Sequence, residues 1–294
     1  MKHTGIESKT NRWGWGFVSL STFFIGLFVF YPTVQSFITS LKSGMGNNLQ
    51  FVGLDNYKRM LTDATFLKAV GNTFLYLLVQ VPVMIVLALI IASMLNDKKL
   101  KFSGFFRTAI FLPCVTSLVA YSIIMKSIFA ADGLVNQFLM ALNIISNPIQ
   151  WVTDPIWAKV LIIIAITWRW TGYNMIFYLS GLQNIDPSVY EAASIDGAST
   201  FKKFTKITVP LLKPIILFTT ITSTIGTLQL FDEVVNITKG GPANATTTIS
   251  HYIYNLCFTY TPNFGYAAAV AYVIVIMIVI LSLIQFKIGG DSNE

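Results

Sequence analysis

The sequence predicts an all-α polytopic membrane protein with six transmembrane helices and both termini in the cytoplasm. Three observations carry that expectation. Of 294 residues, 54% are hydrophobic and only 11% are charged, whereas a soluble domain has about 45–50% apolar and about 25% charged residues. With a mean hydropathy of +0.65, the chain is too apolar to dissolve and too long for one buried core. Six segments also have the ~20 apolar residues that a helix needs to cross a ~30 Å hydrocarbon core. Finally, lysines and arginines gather on one side of those segments, as they do on cytoplasmic loops.

In chain order, residues 1–14 read as a cytoplasmic tail and 15–39 as the first span. The apolar run that begins there is too long for the h-region of a signal peptide, and no small-residue cleavage site follows it. The remaining spans fall at 69–95, 104–129, 158–182, 211–235 and 265–286, so that 69–286 forms a five-helix core. Residues 287–294 read as a second cytoplasmic tail. Between the third and fourth spans, Leu134, Phe138, Leu139 and Leu142 recur at helical spacing within 132–155. That spacing predicts a short interfacial helix lying on the membrane or on the spans, either as a connector or as a gating element.

The basic residues fix the orientation. One side carries Lys2, Lys9, Arg12, Lys98, Lys99, Lys101, Arg107, Lys202, Lys203, Lys206, Lys213 and Lys287, and the other Lys42, Lys58, Arg59, Lys68 and Lys239. The net charge of +7 therefore reflects topology. No dense basic run exists that would track a nucleic-acid backbone, so nucleic acid is not an expected partner, whereas membrane lipid is.

Several function classes are excluded. Cys114 and Cys257 form no C-x-x-C pair, and His3 and His251 are isolated, so neither a metal site nor a disulfide framework is indicated. There is no G-x-S-x-G and no H-E-x-x-H to support an intramembrane enzyme. There is also no G-x-x-x-x-G-K-[ST] loop, so an ATP-driven process must draw its energy from another polypeptide. A secondary transporter driven by an ion gradient remains an alternative class. It should carry paired buried acids or broken helices near the midplane, while the acids here cluster at the edges of the spans.

The 183–210 loop is the most informative segment. In "DPSVYEAASIDGASTFKKFTKITVP", Asp186 is a good N-cap, and Pro187 suits the first helical position. Ala192, Ala193 and Ser194 permit close approach by another surface, and Gly197 is a natural helix stop. Beyond it, Phe201, Phe204 and Ile207 form an apolar stripe opposite Lys202, Lys203 and Lys206. Local physics thus predicts a capped helix, a glycine turn and a second, basic helix.

Glu191-Ala192-Ala193, three residues, Gly197, nine residues, Ile207, one residue, Val209-Pro210 resembles the EAA loop of the permeases of binding-protein-dependent ABC importers. Val209 stands where that pattern more often has leucine. Asp196 and Ala198 fit its common "DGA" form. "FRTAIFLP" at 106–113 and "FDEVVNITKGGPANATTTISHYIYNLCF" at 231–258 resemble the carbohydrate branch, the multiple-sugar and maltose-type permeases. The similarity covers nearly the whole chain.

That resemblance implies a type I ABC permease fold. It further implies a second homologous permease subunit forming a heterodimer, two ATPase subunits carrying ATP and magnesium, and an extracellular or periplasmic sugar-binding protein. This chain itself would hold no cofactor and catalyse nothing. It would lie in a bacterial plasma (inner) membrane, forming half of an alternating-access pathway for a sugar, preferably an oligosaccharide. A permease for another solute, such as a glycerol phosphate, is the alternative. Glu191, Ala192, Ala193, Asp196 and Gly197 would be the ATPase-coupling residues.

For the pathway, Arg169 stands out, because an arginine at mid-membrane costs about 2.5–3.5 kcal/mol on insertion scales. It is flanked by Trp168 and Trp170, with Tyr173 and Asn174 a turn later. Aromatic faces and fixed polar groups suit a sugar. Equally, Arg169 pairs with Asp232 or Glu233 and holds the bundle together. On the fifth span, Ser223 and Thr227 share one helical face, and Thr222, Gly226, Gln229 and Glu233 the next. Helix packing is the rival role for these hydroxyls. The resemblance favours Ser223, Thr227, Trp170, Asn174 and Tyr121 as pathway residues, with Arg169 and Gln229 beside them.

Overall fold

The computed structural model describes residues 5–44, 49–97 and 99–290, with the side chains of 5–12 outside that description. Lys2 and Lys98 of the basic set lie outside the described residues, as do 291–294 of the final tail.

The chain runs through α1 (Gly5–Ile25), a wide helical turn and α2 (Tyr31–Ser40), a short hairpin β1 (Lys42–Ser43) and β2 (Gln50–Phe51), then α3 (Asp55–Met60) and α4 (Ala64–Leu95). Next come α5 (Ser103–Val115), α6 (Leu118–Ile128), α7 (Leu134–Ala141), α8 (Pro155–Gln183) and α9 (Pro187–Ile195). The last elements are α10 (Thr200–Lys203), α11 (Val209–Leu211), α12 (Lys213–Leu228), α13 (Ile249–Tyr254) and α14 (Phe264–Gly290). Among the described residues, four continuous helices are long and apolar enough to cross a membrane: Trp13–Ser40, Ala64–Leu95, Pro155–Gln183 and Phe264–Gly290. Two bent pairs, Ser103–Val115 with Leu118–Ile128 and Thr200–Leu211 with Lys213–Leu228, bring the number to as many as six where each pair is counted as one span.

The residues up to Leu61, together with Ile253–Tyr272, form one compact unit. Here the Asn56 side chain donates to the carbonyls of Ser40 and Lys42 at 2.8 Å each, tying α3 to the end of α2. The β1 ladder pairs Lys42 with Phe51 and Ser43 with Gln50, antiparallel. A Cβ on Gly265 would fall on the Lys42 carbonyl, so the start of α14 passes this hairpin only as glycine. The Arg59 guanidinium lies 4.2 Å over the Tyr266 ring, a cation–π contact.

Residues Thr62–Tyr252 with Val273 onward form the second unit, and α8 is its axis. Asp63 caps α4 by accepting from the Thr65 and Phe66 amides, and Asp154 caps α8 from Ile156 and Trp157, ahead of Pro155. Glycines set the helix spacing, as small residues do in membrane bundles. A Cβ on Gly172 would strike the Ile110 carbonyl of α5, and one on Gly181 would strike Leu212 and Ile215. Tyr76, Tyr121, Met125, Leu161, Ile162, Ile166, Val234 and Ile237 belong to one hydrophobic cluster, and Ala88, Ala92, Met175, Tyr178 and Leu212 to another.

Two details differ from the sequence-based expectation. The third span is not straight: α5 and α6 meet at 105°. The break at Thr116–Ser117 follows Pro113, which lacks the N–H that would continue the ladder. The fifth span likewise ends at Leu228 rather than at 235. Leu230 is instead held from outside, its carbonyl accepting from the Thr248 hydroxyl at 2.6 Å. The expected helix within 132–155 is α7, pinned by Asn136. That fully buried side chain donates to the carbonyls of Ala130, Ala131 and Ile149, and accepts from the Ile149 amide and the Trp151 indole.

Candidate functional site

Two assemblies of polar residues stand apart from ordinary packing. The first is the stretch from Asp186 to Leu211. Asp186 accepts from the Ser188 amide at 2.9 Å, and that backbone hydrogen bond, with one to the Ser188 side chain, holds its carboxyl below the usual carboxylate range. The folded form therefore favours the ionised cap. Its stabilisation is complete above the ordinary value and is lost only as pH falls through the lowered one. Helix α9 then ends in a Schellman turn. Gly197 takes φ +73, its amide bonds the Ser194 carbonyl at 3.1 Å, and the Ala198 amide bonds the Ala193 carbonyl at 2.9 Å. Ser199 caps the second arm by accepting from the Lys202 amide.

The two arms are cross-braced. Lys203 donates to the Ser194 hydroxyl at 3.0 Å, and the Tyr190 and Thr208 hydroxyls lie 3.0 Å apart. Glu191, Ala192, Asp196 and Gly197 are exposed, while Ala193 is buried. At the tip, Ile195 is 88% exposed and Phe201 76%. The expected apolar stripe is thus divided: Phe201 points outward, whereas Phe204 packs against the Ala88–Leu212 core. The stretch is thus a braced pair of short helices that presents two large apolar side chains to its surroundings.

The second assembly lies where α4, α8 and α12 meet. Asn174 is fully buried. Its Nδ2 donates to the Trp170 carbonyl at 2.9 Å and reaches the Met84 sulfur at 3.1 Å and the Ser223 hydroxyl at 3.4 Å. The Thr227 hydroxyl bonds the Gln80 Oε1 at 3.0 Å and the Ser223 carbonyl at 2.8 Å. Of the sequence-predicted pathway residues, the structure therefore brings Asn174, Ser223 and Thr227 together. Trp170 borders them, its ring within 3.4 Å of where a Cβ on Gly226 would lie.

The other three stand elsewhere. Arg169 pairs with Glu233 at 3.0 Å, the two side chains 17% and 4% exposed, which is the bundle-holding arrangement weighed above. Tyr121 is buried and donates to the Ala165 carbonyl at 2.7 Å. Gln229 lies beyond the end of α12 and is exposed, so the helical face that grouped it with Thr222 and Glu233 does not extend that far. Gln80 was missed from sequence, although an amide inside "LLVQVPVM" carried the same signal as Arg169: a polar group in a membrane span. Asn72 was missed too. It donates to the carbonyls of Asn244 and Thr247, anchoring the 240–249 turn to α4.

Four long apolar helices, two further bent apolar pairs and a braced, exposed two-helix stretch are the build of a multi-pass membrane protein. The chain belongs to the family described as the binding-protein-dependent transport system inner membrane component, which matches residues 63–287. It is 60% identical over 282 residues to the lactose transport system permease protein LacF of Rhizobium radiobacter, covering 95% of each chain. It is 36% identical to the arabinooligosaccharides transport system permease protein AraP of Bacillus subtilis, over 90% of this chain and 84% of that one. It is also 33% identical to the multiple sugar-binding transport system permease protein MsmF of Streptococcus mutans, over 97% and 98%. In fold it resembles a chain of a bacterial ABC transporter that imports the acidic polysaccharide alginate. The TM-score is 0.82 at 21% identity, covering 97% of this chain and 98% of that one.

Proposed function

We propose that this chain is the transmembrane permease subunit of an ATP-driven sugar importer in a bacterial plasma membrane, with both termini in the cytoplasm, and that its cargo is a neutral disaccharide of the lactose kind. The observation that carries the reading is the 60% identity to a lactose permease over 95% of both chains. The pathway is half-built here. Asn174, Ser223 and Thr227 supply hydroxyl-binding groups, and Trp170 supplies an aromatic face for the C–H side of a sugar ring. Arg169, the arginine expected at mid-membrane, is paired with Glu233, which suits an uncharged cargo.

A second homologous permease completes the pathway, and an external sugar-binding protein delivers the cargo. Two ATPase subunits, which carry ATP and magnesium, dock on the Glu191–Gly197 knob and its counterpart. Their closure draws the two knobs together and turns the cavity outward, and hydrolysis returns it inward. The rigid braces at Lys203–Ser194 and Tyr190–Thr208 let such a movement pass without being absorbed. The test is the ATPase rate of the assembled complex in nanodiscs. Binding protein loaded with lactose is expected to stimulate hydrolysis well above the unloaded form. Stimulation by a glycerol phosphate receptor and none by the lactose-loaded one would overturn the sugar assignment.

A further inference from the structure

The junction of α4, α8 and α12 includes a residue on the second span that its apolar neighbours do not require. Gln80 is 1% exposed, and Met84, one turn on, is fully buried. The Thr227 hydroxyl has one proton and two acceptors within reach: the Ser223 carbonyl of its own helix at 2.8 Å and the Gln80 Oε1 at 3.0 Å. A threonine in a membrane helix ordinarily gives that proton to its own backbone, as Thr219, Thr220 and Thr222 do on the same helix. Gln80 competes for it from across the helix interface.

The rest of the junction is under-used. The Gln80 Nε2 reaches only the Met84 sulfur, at 3.4 Å, and a thioether is a weak acceptor. The Asn174 Oδ1 is buried with no partner, although its Nδ2 is fixed by the Trp170 carbonyl. A buried polar group without a partner destabilises a fold, and leucine at each position would fill the same space. A donor and an acceptor held uncommitted among α4, α8 and α12 complement a hydroxyl, which accepts and donates together.

We infer that Gln80 is a positioning residue of the translocation pathway: by sharing the Thr227 proton with the α12 backbone it orients the hydroxyl, and so sets how tightly the transmembrane site holds sugar. This rests on the reading of the chain as a sugar permease. It adds the second span to the elements that shape the site.

The experiment measures retention of labelled lactose by the whole complex locked with ATP, for wild type, Gln80→Met, Thr227→Val and the double variant. Losing one neutral hydrogen bond is worth roughly a two- to tenfold change in affinity. Gln80→Met is expected to weaken retention by that factor. The double variant is expected to be no weaker than Thr227→Val alone, because the glutamine acts through the threonine. Wild-type retention by Gln80→Met, or losses that simply add, would overturn the positioning role. Gln80→Asn, which keeps an amide in the bundle but is too short to reach Thr227, answers the same question if Gln80→Met does not assemble. A wild-type complex that holds no sugar would instead contradict the proposed function.

Discussion

Replacement of Gly197 separates the turn's own chemistry from the docking role proposed for it. The residue sits at φ +73, and nothing lies within 4 Å of where its Cβ would project. In the free chain a side chain there meets only the backbone penalty. Left-handed backbone costs an L-residue about 1–2 kcal/mol, and asparagine is among the few that adopt it routinely. A penalty of that size shifts a local equilibrium by roughly 5- to 30-fold. It acts on the two hydrogen bonds from Gly197 and Ala198 to Ser194 and Ala193 that close α9. Backbone chemistry alone therefore predicts that Asn is tolerated best, Ala less well and Val least, with Ala and Leu alike because the space is open. A docked knob predicts something more: Leu becomes far worse than Ala, since the partner occupies that space. The assay is co-purification of the ATPase together with sugar uptake in membrane vesicles, at matched membrane levels of each variant. Gly197→Leu is expected to insert normally, lose its ATPase and lose uptake. Wild-type uptake with ATPase retained in Gly197→Leu would refute the docking role, and equal losses for Ala and Leu would reduce it to turn strain.

Three further outcomes follow from the geometry. Breaking the Arg169–Glu233 pair by Arg169→Met leaves a buried carboxylate uncompensated and should cost about 3–5 kcal/mol, while Arg169→Met with Glu233→Met should recover most of that. Thermal unfolding in nanodiscs checks it, and equal losses for single and double variants would count against the ion pair. Asn136→Ala strands the Ile149 amide and the Trp151 indole N–H, each worth about 1–3 kcal/mol when buried without a partner. The α7 segment should loosen, and the Trp151 fluorescence should shift to the red. Burial against Gly240 and Thr247 holds the His251 imidazole below its usual value, so the unfolded chain takes up its proton first. Stability should be level above about pH 6.5 and should fall as pH drops through that value until the folded ring is protonated. His251→Gln should flatten that part of the thermal stability profile, and an unchanged profile would contradict it.

What the sequence disclosed was local. Asp186, Pro187 and Gly197 each act through their own backbone neighbours, so the cap, the start and the stop of α9 were legible without a fold. The spans were legible because lipid imposes their length. The end of α12 was not, since "LQLFDEVV" stays apolar enough to continue a helix. The chain leaves the helix at 229–231, where the Thr248 hydroxyl from far along the chain donates to the Leu230 carbonyl, and is helical again from Asp232. Helical-wheel reasoning over an assumed long helix therefore grouped Gln229 with the pathway residues, and the structure places it outside. Gln80 escaped for a related reason: its meaning depends on Thr227, and only the packing of α4 on α12 brings the two together. Arg107 is similar. In "FRTAIFLP" it reads as a basic residue on the cytoplasmic flank of the third span, and it donates to the Leu95 carbonyl at 2.9 Å, a cation placed at the C-terminus of α4.

The central claim is that this chain forms half of a sugar pathway driven by ATP on other subunits. The most direct measurement is uptake of labelled lactose into proteoliposomes holding this chain, its partner permease and the ATPase, with binding protein outside, ATP inside and ionophores present to dissipate every ion gradient. The account predicts uptake that requires both ATP and the binding protein and is indifferent to the ionophores. Uptake that persists without the ATPase and collapses with the ion gradient would contradict it.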